Sequence, residues 1–370
     1  MLLTGITAAI AVQQPALGVT LPAAYKAAAH GDIVALDATP VPAGSLASVR
    51  LGHSSGSVDS TTAAPNSRAE SANLDGSALL DNVPLDVDSV TATAPPRSGP
   101  TSRSLLPIPP NPLLKPGLIE GSVPADYASA TACPVAVAGQ RVYSDSLTSL
   151  AQTTVGDLSA VPGAPSSIAS VGASRVRTVT ALVDDAVGGS DVEAVTTTTV
   201  GDVSLFGGRA VVRVTSPVVL RAHSDGTTGT AAFDSPPTVR VLLASAPAIP
   251  VPLNGSPVTV PIAIPGLNTS VTVTGFGLTN ASTGATAAAS LQALLRVDVD
   301  LTLATTQVAD VSLSPAPMDV RAEAPVGGVT CNRATPTPSP TATTPATDNP
   351  DRDGDGLTNV RETKLGTDPR

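Results

Sequence analysis

Segments in which apolar and polar residues alternate recur along this chain, and such alternation predicts half-buried strands. The clearest segment lies at residues 294–306, LLRVDVDLTLATT. Four of its apolar residues would face one side of the strand: Val297, Val299, Leu301 and Leu303. Its polar residues would face the other side: Asp298, Asp300 and Thr302. SVTVTGFGLT around Val271 and VPLDVDSVTATA from Val83 alternate in the same way.

The composition also favours strands over helices. The chain is rich in Thr and Val, which suit strands, and its 36 prolines and 31 glycines oppose long helices. Aromatic residues make up only 2% of the 370 residues and Trp is absent, so the core must be built from Val, Leu, Ile and Ala. We therefore expect an all-β fold, either an antiparallel β-sandwich or a more irregular, solenoid-like arrangement of strands.

Two local patterns refine the β region. Asn254-Gly255, between VPVPL and PVTVPI, predicts a hairpin turn, because both residues tolerate positive φ angles. TVGDLS at 154–159 recurs as TVGDVSL at 199–205 and as QVADVSL at 307–313. The irregular spacing of these copies indicates related strand–turn units within one β domain. We expect the aspartate of each copy at a turn or on an exposed face.

Proline-rich stretches divide the chain. Residues 95–117 contain too many prolines for a strand or helix and predict an extended connector, and residues 332–347 form a Thr/Pro linker. The expected segments are a signal peptide at 1–22, an N-terminal β part at 23–94, the connector at 95–117, a main β domain at 118–331, the linker at 332–347 and a terminal module at 348–370.

The start of the chain indicates export. The apolar run from Leu2 to Val12 is too short to span a bilayer, and Ala9-Ile10-Ala11 has the form of a signal-peptidase site. A buried N-terminal strand is the alternative. No other segment reaches transmembrane length. In an exported protein Cys133 and Cys331 would pair as a disulfide, the alternative being two buried thiols.

The charge of the chain limits its partners. The formal net charge is -10, which argues against nucleic acid, because binding to phosphates requires a basic face. The sequence also lacks a cluster of Lys and Arg that would attach it to an anionic membrane.

The run DRDGDGLTNVRE at residues 351–362 has the spacing of a calcium-binding loop, Dx[DN]xDGx5E. Alternate carboxylates in a tight turn point to one centre, and Gly356 permits the bend. The oxygens would come from Asp351, Asp353, Asp355, the Leu357 carbonyl, Asn359 and Glu362. Calcium, which prefers six to eight oxygen ligands, is the first choice and magnesium the second. The alternative is a solvated acidic turn.

The residues around this loop point to a family. LTNVRETKLGTDP predicts one or two helical turns, which Gly366 would end. The whole string DNPDRDGDGLTNVRETKLGTDP, residues 348–369, resembles a bacterial thrombospondin type 3 repeat. The resemblance implies calcium bound by the loop aspartates and an extended module of a secreted or surface protein. This chain has one copy, whereas the family has successive copies.

The β region has a looser resemblance. Its Ala, Val, Thr, Ser and Pro composition, its two cysteines and its Pro/Thr stalk are similar to the choice-of-anchor P proteins of actinobacteria. That resemblance implies an exported chain whose shared domain is followed by an anchoring module.

Enzymatic chemistry has one candidate motif. GHSSG at 52–56 matches the G-x-S-x-G elbow, with Ser54 as nucleophile and His223 as its base, but a helix-forming segment does not follow it. The chain lacks CxxC and His/Cys clusters, so zinc is not expected, and the three histidines, far apart in sequence, are expected at the surface or in turns.

We therefore expect a non-enzymatic structural or adhesive protein, located outside the cell or on its surface. Its partners would be calcium and components of the cell wall or of host or neighbouring cell surfaces. The alternatives are a secreted serine hydrolase that uses Ser54, or a module that binds a glycan or a small ligand.

Overall fold

A computed structural model of the chain describes residues 24–40, 47–75, 79–80, 83–84, 87–108, 114–127, 139–159, 164–184, 189–303 and 306–330. In this part of the chain the fold is all-β, as predicted, and no helix is present. A membrane-spanning helix, long and apolar enough to cross a bilayer, is therefore not found among these residues. The predicted signal peptide, disulfide, Thr/Pro linker and calcium loop lie outside the described residues and stay predictions.

The strands of the described residues are, in chain order, β1 (Lys26–Pro40), β2 (Ala47–Asp59), β3 (Ser67–Leu74), β4 (Leu79–Leu80), β5 (Val83–Pro84), β6 (Ser89–Ala94), β7 (Ser98–Ser104), β8 (Leu114–Lys115), β9 (Ile119–Ala125), β10 (Gln140–Leu150), β11 (Thr153–Asp157), β12 (Ser167–Val171), β13 (Ser174–Asp184), β14 (Ser190–Thr199), β15 (Val203–Leu205), β16 (Ala210–Val214), β17 (Val218–Ser224), β18 (Gly229–Phe233), β19 (Val239–Leu243), β20 (Ala246–Val251), β21 (Pro257–Thr259), β22 (Asn268–Gly275), β23 (Thr279–Asn280), β24 (Thr286–Leu291), β25 (Leu295–Leu303), β26 (Thr306–Pro315) and β27 (Met318–Glu323).

These strands form three antiparallel sheets. The main path of sheet A runs β21-β22-β25-β26-β1-β2-β3-β6. Strand β27 also pairs with β1, and β24 and β23 follow it in turn. Strand β4 pairs with β2, and β5 pairs with β4. Sheet B runs β18-β17-β14-β13-β10-β9-β7, and sheet C runs β20-β19-β16-β15-β12-β11-β8. Because β1 pairs with β2, β26 and β27, the predicted N-terminal part and main β domain share sheet A and belong to one compact unit.

Sheets B and C are two halves of one meander. Each of six passes of the chain contributes one strand to each sheet in the same order, from the pass of β8 and β9 to that of β18 and β19. Strand β7 extends sheet B beyond β9, and β20 extends sheet C beyond β19. Short breaks separate the two strands of a pass, and most contain Gly or Pro, such as Pro116-Gly117 and Gly172. These residues weaken a strand locally, so a long sheet divides there.

Sheets A and B pack through small hydroxyl side chains. Ser54 of sheet A is fully buried, and its Oγ donates a hydrogen bond to the carbonyl oxygen of Ser146 in sheet B at 3.0 Å. Thr148 of sheet B donates to the carbonyl oxygen of His53, and Thr196 donates to that of His30 at 3.1 Å. A buried hydroxyl needs such a partner. The bonds from Thr148 and Thr196 fix the backbone of β2 and β1 against sheet B.

The core agrees with the composition. One hydrophobic cluster joins buried side chains of all three sheets, and most of its members are Val, Leu, Ile and Ala, as predicted. The exceptions include Tyr25, Tyr143 and Phe206, which are among the largest fully buried side chains.

The alternating patterns are confirmed as strands. Residues 294–306 contain all of β25, in which Val297, Val299 and Leu301 are fully buried and Asp300 is exposed. The segment around Val271 forms β22. The segment from Val83 gives a short β5 and then the alternating strand β6, rather than one continuous strand.

Two predictions about proline and turns are wrong. Residues 95–117 are not free of strands, because Ser98–Ser104 forms β7 at the edge of sheet B. Pro100 is tolerated there because an edge strand leaves one side unpaired, and the register shifts beside it. The chain bends at Asn254-Gly255, with Gly255 at φ 82°, but Asn254 does not adopt a positive φ and no hairpin results. The strands before and after it, β20 and β21, belong to different sheets.

The three TVGDLS-like segments are not equivalent units. Asp157 ends β11, Asp202 lies in the break between β14 and β15, and Asp310 is exposed inside β26. Each aspartate therefore occupies an end, a break or an exposed face, in agreement with the prediction for these side chains.

Candidate metal centre

Four side chains with metal-ligating atoms converge where β1 changes its pairing partner. His30 and Asp32 belong to β1, His53 belongs to β2, and Asp75 directly follows β3. One potential ligand atom from each residue lies within 4.8 Å of those of the other three. Strand alternation places His30 and Asp32 on one face of β1. Gly31 between them faces sheet B, since a Cβ there would meet Thr196 at 2.8 Å.

The backbone fixes this meeting point. Strand β1 pairs with β27 up to Gly31 and with β26 from Val34 onward. At the change, the Asp32 amide donates to the Pro317 carbonyl at 3.0 Å. On the other side of β1, Asp32 stands directly opposite His53. The next residue of β2 towards its start is Gly52, whose positive φ of 69° makes room for Ile33.

The distances between ligand atoms are short. His53 Nδ1 lies 3.0 Å from Asp32 Oδ1 and 3.8 Å from Asp75 Oδ1. His30 Nε2 lies 3.7 Å from Asp32 Oδ1 and 3.6 Å from Asp75 Oδ2. A tetrahedral ion with bonds of about 2.0–2.1 Å needs ligand atoms separated by about 3.3 Å. The four side chains thus need only small shifts to surround one ion.

A fifth residue orients the His30 ring. Asp319 is the cross-strand neighbour of His30, and its Oδ1 lies 2.9 Å from His30 Nδ1. A proton on Nδ1 would be donated to this carboxylate, so Nε2 would carry the lone pair that faces Asp32 and Asp75. Metal-binding histidines are commonly held by a carboxylate in this way.

Asp32 has an unsatisfied atom. Its side chain is fully buried, and its Oδ2 accepts no hydrogen bond from the described residues. The nearest cationic group in the same part of the chain is Arg50, whose Nη1 lies 3.7 Å from that oxygen. A buried carboxylate is costly unless it is paired or coordinates a metal. Arg50 offers this oxygen only a long ion pair, and an ion bound among the four side chains would give it a direct partner.

The local charge points the same way. Three carboxylates, those of Asp32, Asp75 and Asp319, lie around His30, and Arg50 is the guanidinium nearest to them. Burial lowers the pKa of His30, but the carboxylates of Asp319, Asp75 and Asp32 outweigh it and raise this pKa to about 10. In turn His30 lowers the pKa of Asp75 to about 2, although partial burial opposes this shift. At neutral pH His30 is therefore protonated in the absence of an ion, and a divalent cation bound here would displace that proton and balance the carboxylates in its place.

The donor set indicates which ion fits. Two imidazole nitrogens and two carboxylate oxygens suit zinc and other divalent transition metals, whereas calcium prefers six to eight oxygens. Zinc with four protein ligands in a tetrahedral arrangement is the pattern of a closed, structural site.

A cleft of about 490 Å³ opens beside this cluster on sheet A. His30, Arg50 and Asp319 contribute to its wall, so the metal cluster and the cleft are adjacent.

The sequence did not predict this cluster. The expectation of histidines at the surface or in turns is wrong for His53, which is buried in β2, while His30 lies in β1 and His223 in β17. The expectation against zinc rested on sequence separation, which the β1–β2 pairing removes. The spacing His30-x-Asp32 was the available signal, because residues two apart share one face of a strand.

The predicted nucleophile has a different setting. Ser54 lies inside the continuous strand β2, not in a strand–turn–helix elbow, and it is fully buried between sheets A and B. Its Oγ is within 3.1 Å of Thr178 Oγ1 in addition to its bond to Ser146. His223 pairs instead with Asp191, at 3.1 Å between Nε2 and Oδ2. This geometry offers no support for a serine hydrolase built on Ser54.

The six predicted calcium ligands, Asp351, Asp353, Asp355, Leu357, Asn359 and Glu362, lie outside the described residues. In comparisons with known proteins, no family model matches the chain, and no curated protein or solved structure matches it either.

Proposed function

We propose that this chain is a non-enzymatic structural or adhesive protein of the cell exterior whose β domain is held by a divalent transition metal, with zinc as the first choice. The observation that carries the proposal is the convergence of His30, Asp32, His53 and Asp75 around the unsatisfied oxygen of Asp32.

A structural role suits this site better than a catalytic one. Four protein ligands would complete a tetrahedral shell, and a catalytic zinc ion usually keeps one position for water or substrate. The ligands come from β1, β2 and the end of β3. An ion there would therefore cross-link three neighbouring strands of sheet A at the point where β1 changes partner. A ligand that binds only the folded state stabilises it, by about 4 kcal/mol when its concentration is 1,000 times Kd.

The cell-surface part of the proposal is supported by the sequence. The apolar start, the Thr/Pro linker and the calcium loop are features of exported modular proteins. The protein would then use two metals of different kinds, a transition metal in the β domain and calcium in the loop from Asp351 to Glu362. Its partners would be components of the cell wall or of neighbouring cell surfaces.

The test is a zinc titration of the metal-free full-length chain by calorimetry. We expect one zinc ion per chain in the β domain, with affinity reduced at least about tenfold in Asp32→Asn and in His30→Gln. The matched control is His223→Gln, which removes the remaining histidine and should leave zinc binding unchanged. Circular dichroism would verify that each variant folds. Because the His30 side chain is only partly buried, His30→Gln still tests the centre if Asp32→Asn fails to fold.

The outcomes separate the two metals. Zinc binding that persists unchanged in Asp32→Asn and His30→Gln would refute the proposed centre. Calcium binding that is lost in Asp353→Ala but kept in Asp32→Asn would assign calcium to the terminal loop. No calcium binding up to several millimolar would contradict the predicted loop, since extracellular calcium modules bind at about 10⁻⁴–10⁻³ M.

A further inference from the structure

The cleft beside the metal cluster has the features of a ligand site. Its volume of about 490 Å³ falls in the range of small-molecule pockets, roughly 300–1,000 Å³. Its floor is formed by two cross-strand rows of sheet A. The first row is Arg50, Ala35 and Ser314, and the second is Ser48, Asp37 and Ser312. The small side chain of Ala35 leaves space between Arg50 and Ser314.

Several polar side chains of this cleft have no hydrogen-bond partner among the described residues. Ser312 and Ser314 are half-buried, yet neither hydroxyl has a hydrogen bond to another described residue, and the same holds for Gln292 and Asp37. Arg296 uses its Nε to bind Asp298 at 2.9 Å, and its two terminal nitrogens have no partner in the described part of the chain. Polar groups that converge on a cavity without internal partners are available to a ligand.

The charges of the cleft define the class of ligand. Arg50 and Arg296 are about half exposed and lie on its wall with His30, whereas the carboxylates there are Asp37 and Asp319. Asp319 is bound to His30, which leaves Asp37 among the serines. Arg50 already donates a hydrogen bond to Asp75 at 3.4 Å, and it lies across β1 and β26 from Arg296. A ligand that fits would thus bring one carboxylate to Arg296 and hydroxyls to Asp37 and the serines.

Apolar and polar groups share the wall of the cleft about equally. Phe276, Leu291 and Met318 line the same cleft and would contact the carbon skeleton of a compact ligand. The polar groups of the floor, which lack internal partners, favour a polyhydroxylated carboxylate of about monosaccharide size, whose carbon skeleton would lie against these apolar side chains.

We propose that this cleft binds a sugar acid, with the carboxylate held by Arg296 and the hydroxyls held by Asp37, Ser312 and Ser314. This inference builds on the proposed metal centre in one respect: the ion beside His30 adds positive charge to one end of the cleft. The same chemistry could reach the cleft as a free sugar acid or as a uronic acid residue of a polysaccharide.

The test is a calorimetric titration of the zinc-loaded protein with D-glucuronate. D-glucose is the neutral comparison, and a short oligomer of galacturonate tests the polysaccharide source. We expect saturable binding of glucuronate and none of glucose, with affinity reduced at least about tenfold in Arg296→Gln. The matched control is Arg213→Gln: Arg213 is also about half exposed and bound to an aspartate, Asp202, but it lies on sheet C. That variant should bind as the parent does.

The outcomes can be assigned separately to the cleft and the metal. Binding of the oligomer that exceeds that of the monomer would identify a polysaccharide as the source, and equal binding would identify the free acid. No binding of any acid to zinc-loaded protein, or equal losses in both arginine variants, would overturn the cleft proposal and leave the metal centre intact. Glucuronate binding that depends on Arg296 in a protein that takes up no zinc would support the cleft and refute the metal centre.

Discussion

Two places in this molecule have the same backbone conformation, a glycine with positive φ opposite an isoleucine of the neighbouring strand, but their side chains differ. In sheet A, Gly52 of β2 has a φ of 69° and lies under Ile33 of β1, and in sheet C, Gly156 of β11 has a φ of 68° and lies under Ile168 of β12. A Cβ at either glycine would meet the Ile Cδ1 within about 2.6 Å. The register is interrupted at the same point in both pairs.

The third strand completes the correspondence. The Ile33 carbonyl accepts a hydrogen bond from the amide of Ala316, and the Ile168 carbonyl accepts one from the amide of Phe206, both at about 3 Å. These two donors are the non-glycine residues with positive φ among the described residues, at 58° and 50°. We therefore regard the two places as copies of one three-strand kink, and call them the A kink and the C kink.

The side chains at equivalent positions differ in chemistry. The register matches Asp32 with Ser167, His53 with Asp157, and Asp75 with Lys115. The A kink thus gathers two carboxylates and an imidazole, with His30 added from the preceding part of β1. The C kink carries one ion pair, in which Lys115 Nζ lies 2.7 Å from Asp157 Oδ2.

The backbone determines where the side chains meet, and the residue types determine whether the meeting point is an ion pair or a candidate metal site. The kink brings three side chains from adjacent strands to one side of a sheet in both copies. Opposite charges there satisfy each other as an ion pair, whereas the two carboxylates of the A kink face a single Nδ1 donor, that of His53, and Asp32 keeps an unsatisfied oxygen. A metal site can therefore arise by substitution at a kink that exists for reasons of backbone geometry.

The largest effect on stability is expected at Phe206 of the C kink. Phe206 is 1% exposed, whereas Ala316 at the equivalent position of the A kink has no ring to lose. Phe206→Ala should lower the free energy of unfolding by about 3–5 kcal/mol, because it removes a buried aromatic ring. Chemical denaturation measures this loss. Zinc affinity should be unchanged, and a change in it would show that the two kinks are not independent.

The second prediction uses the two glycines as a matched pair. Gly52→Ala and Gly156→Ala should each lower the free energy of unfolding by about 1–3 kcal/mol, because alanine is strained at positive φ and its Cβ would meet isoleucine. Only Gly52→Ala should also weaken zinc binding, by about tenfold or more, since it displaces the pairing of Asp32 with His53.

Denaturation and zinc titration of both variants check this pair. If Gly156→Ala weakens zinc binding as much as Gly52→Ala does, the loss reflects general destabilisation and the proposed link between the A kink and the metal centre fails.

Local features of the fold could be predicted from the sequence, whereas features that depend on strand pairing could not. Strands such as β25 were predictable because alternation is a local pattern that burial of one face imposes. The metal cluster was not, since it depends on which strands pair and in which register. His30 and His53 are 23 positions apart in the sequence, and only the β1–β2 register sets them in one cluster.

The sequence also could not predict that β20 and β21 belong to different sheets, for a related reason. The Asn254-Gly255 turn is encoded locally, but whether it closes a hairpin depends on the partners of the flanking strands. β20 finds its partner in β19, and β21 finds its own in β22. The sequence therefore predicted a change of chain direction here, but not its conformation or its role in the fold.

The smallest effect is expected for the ion pair of the C kink. Lys115 and Ser159 lower the pKa of Asp157 below the ordinary value of 3.8. A carboxyl whose pKa is lowered by folding stabilises the folded state above its unfolded value, and this contribution is lost as the pH falls below that value. Asp157→Asn should therefore lower the urea midpoint slightly at pH 6, and the difference should shrink steadily below pH 3.8. The effect is small because the pair is exposed to solvent. Lys115→Gln should give a similar loss, and the double variant should lose no more than the larger single loss. A loss of zinc affinity in Asp157→Asn, or a difference that grows towards acid, would contradict the assignment of this pair as a purely local ion pair.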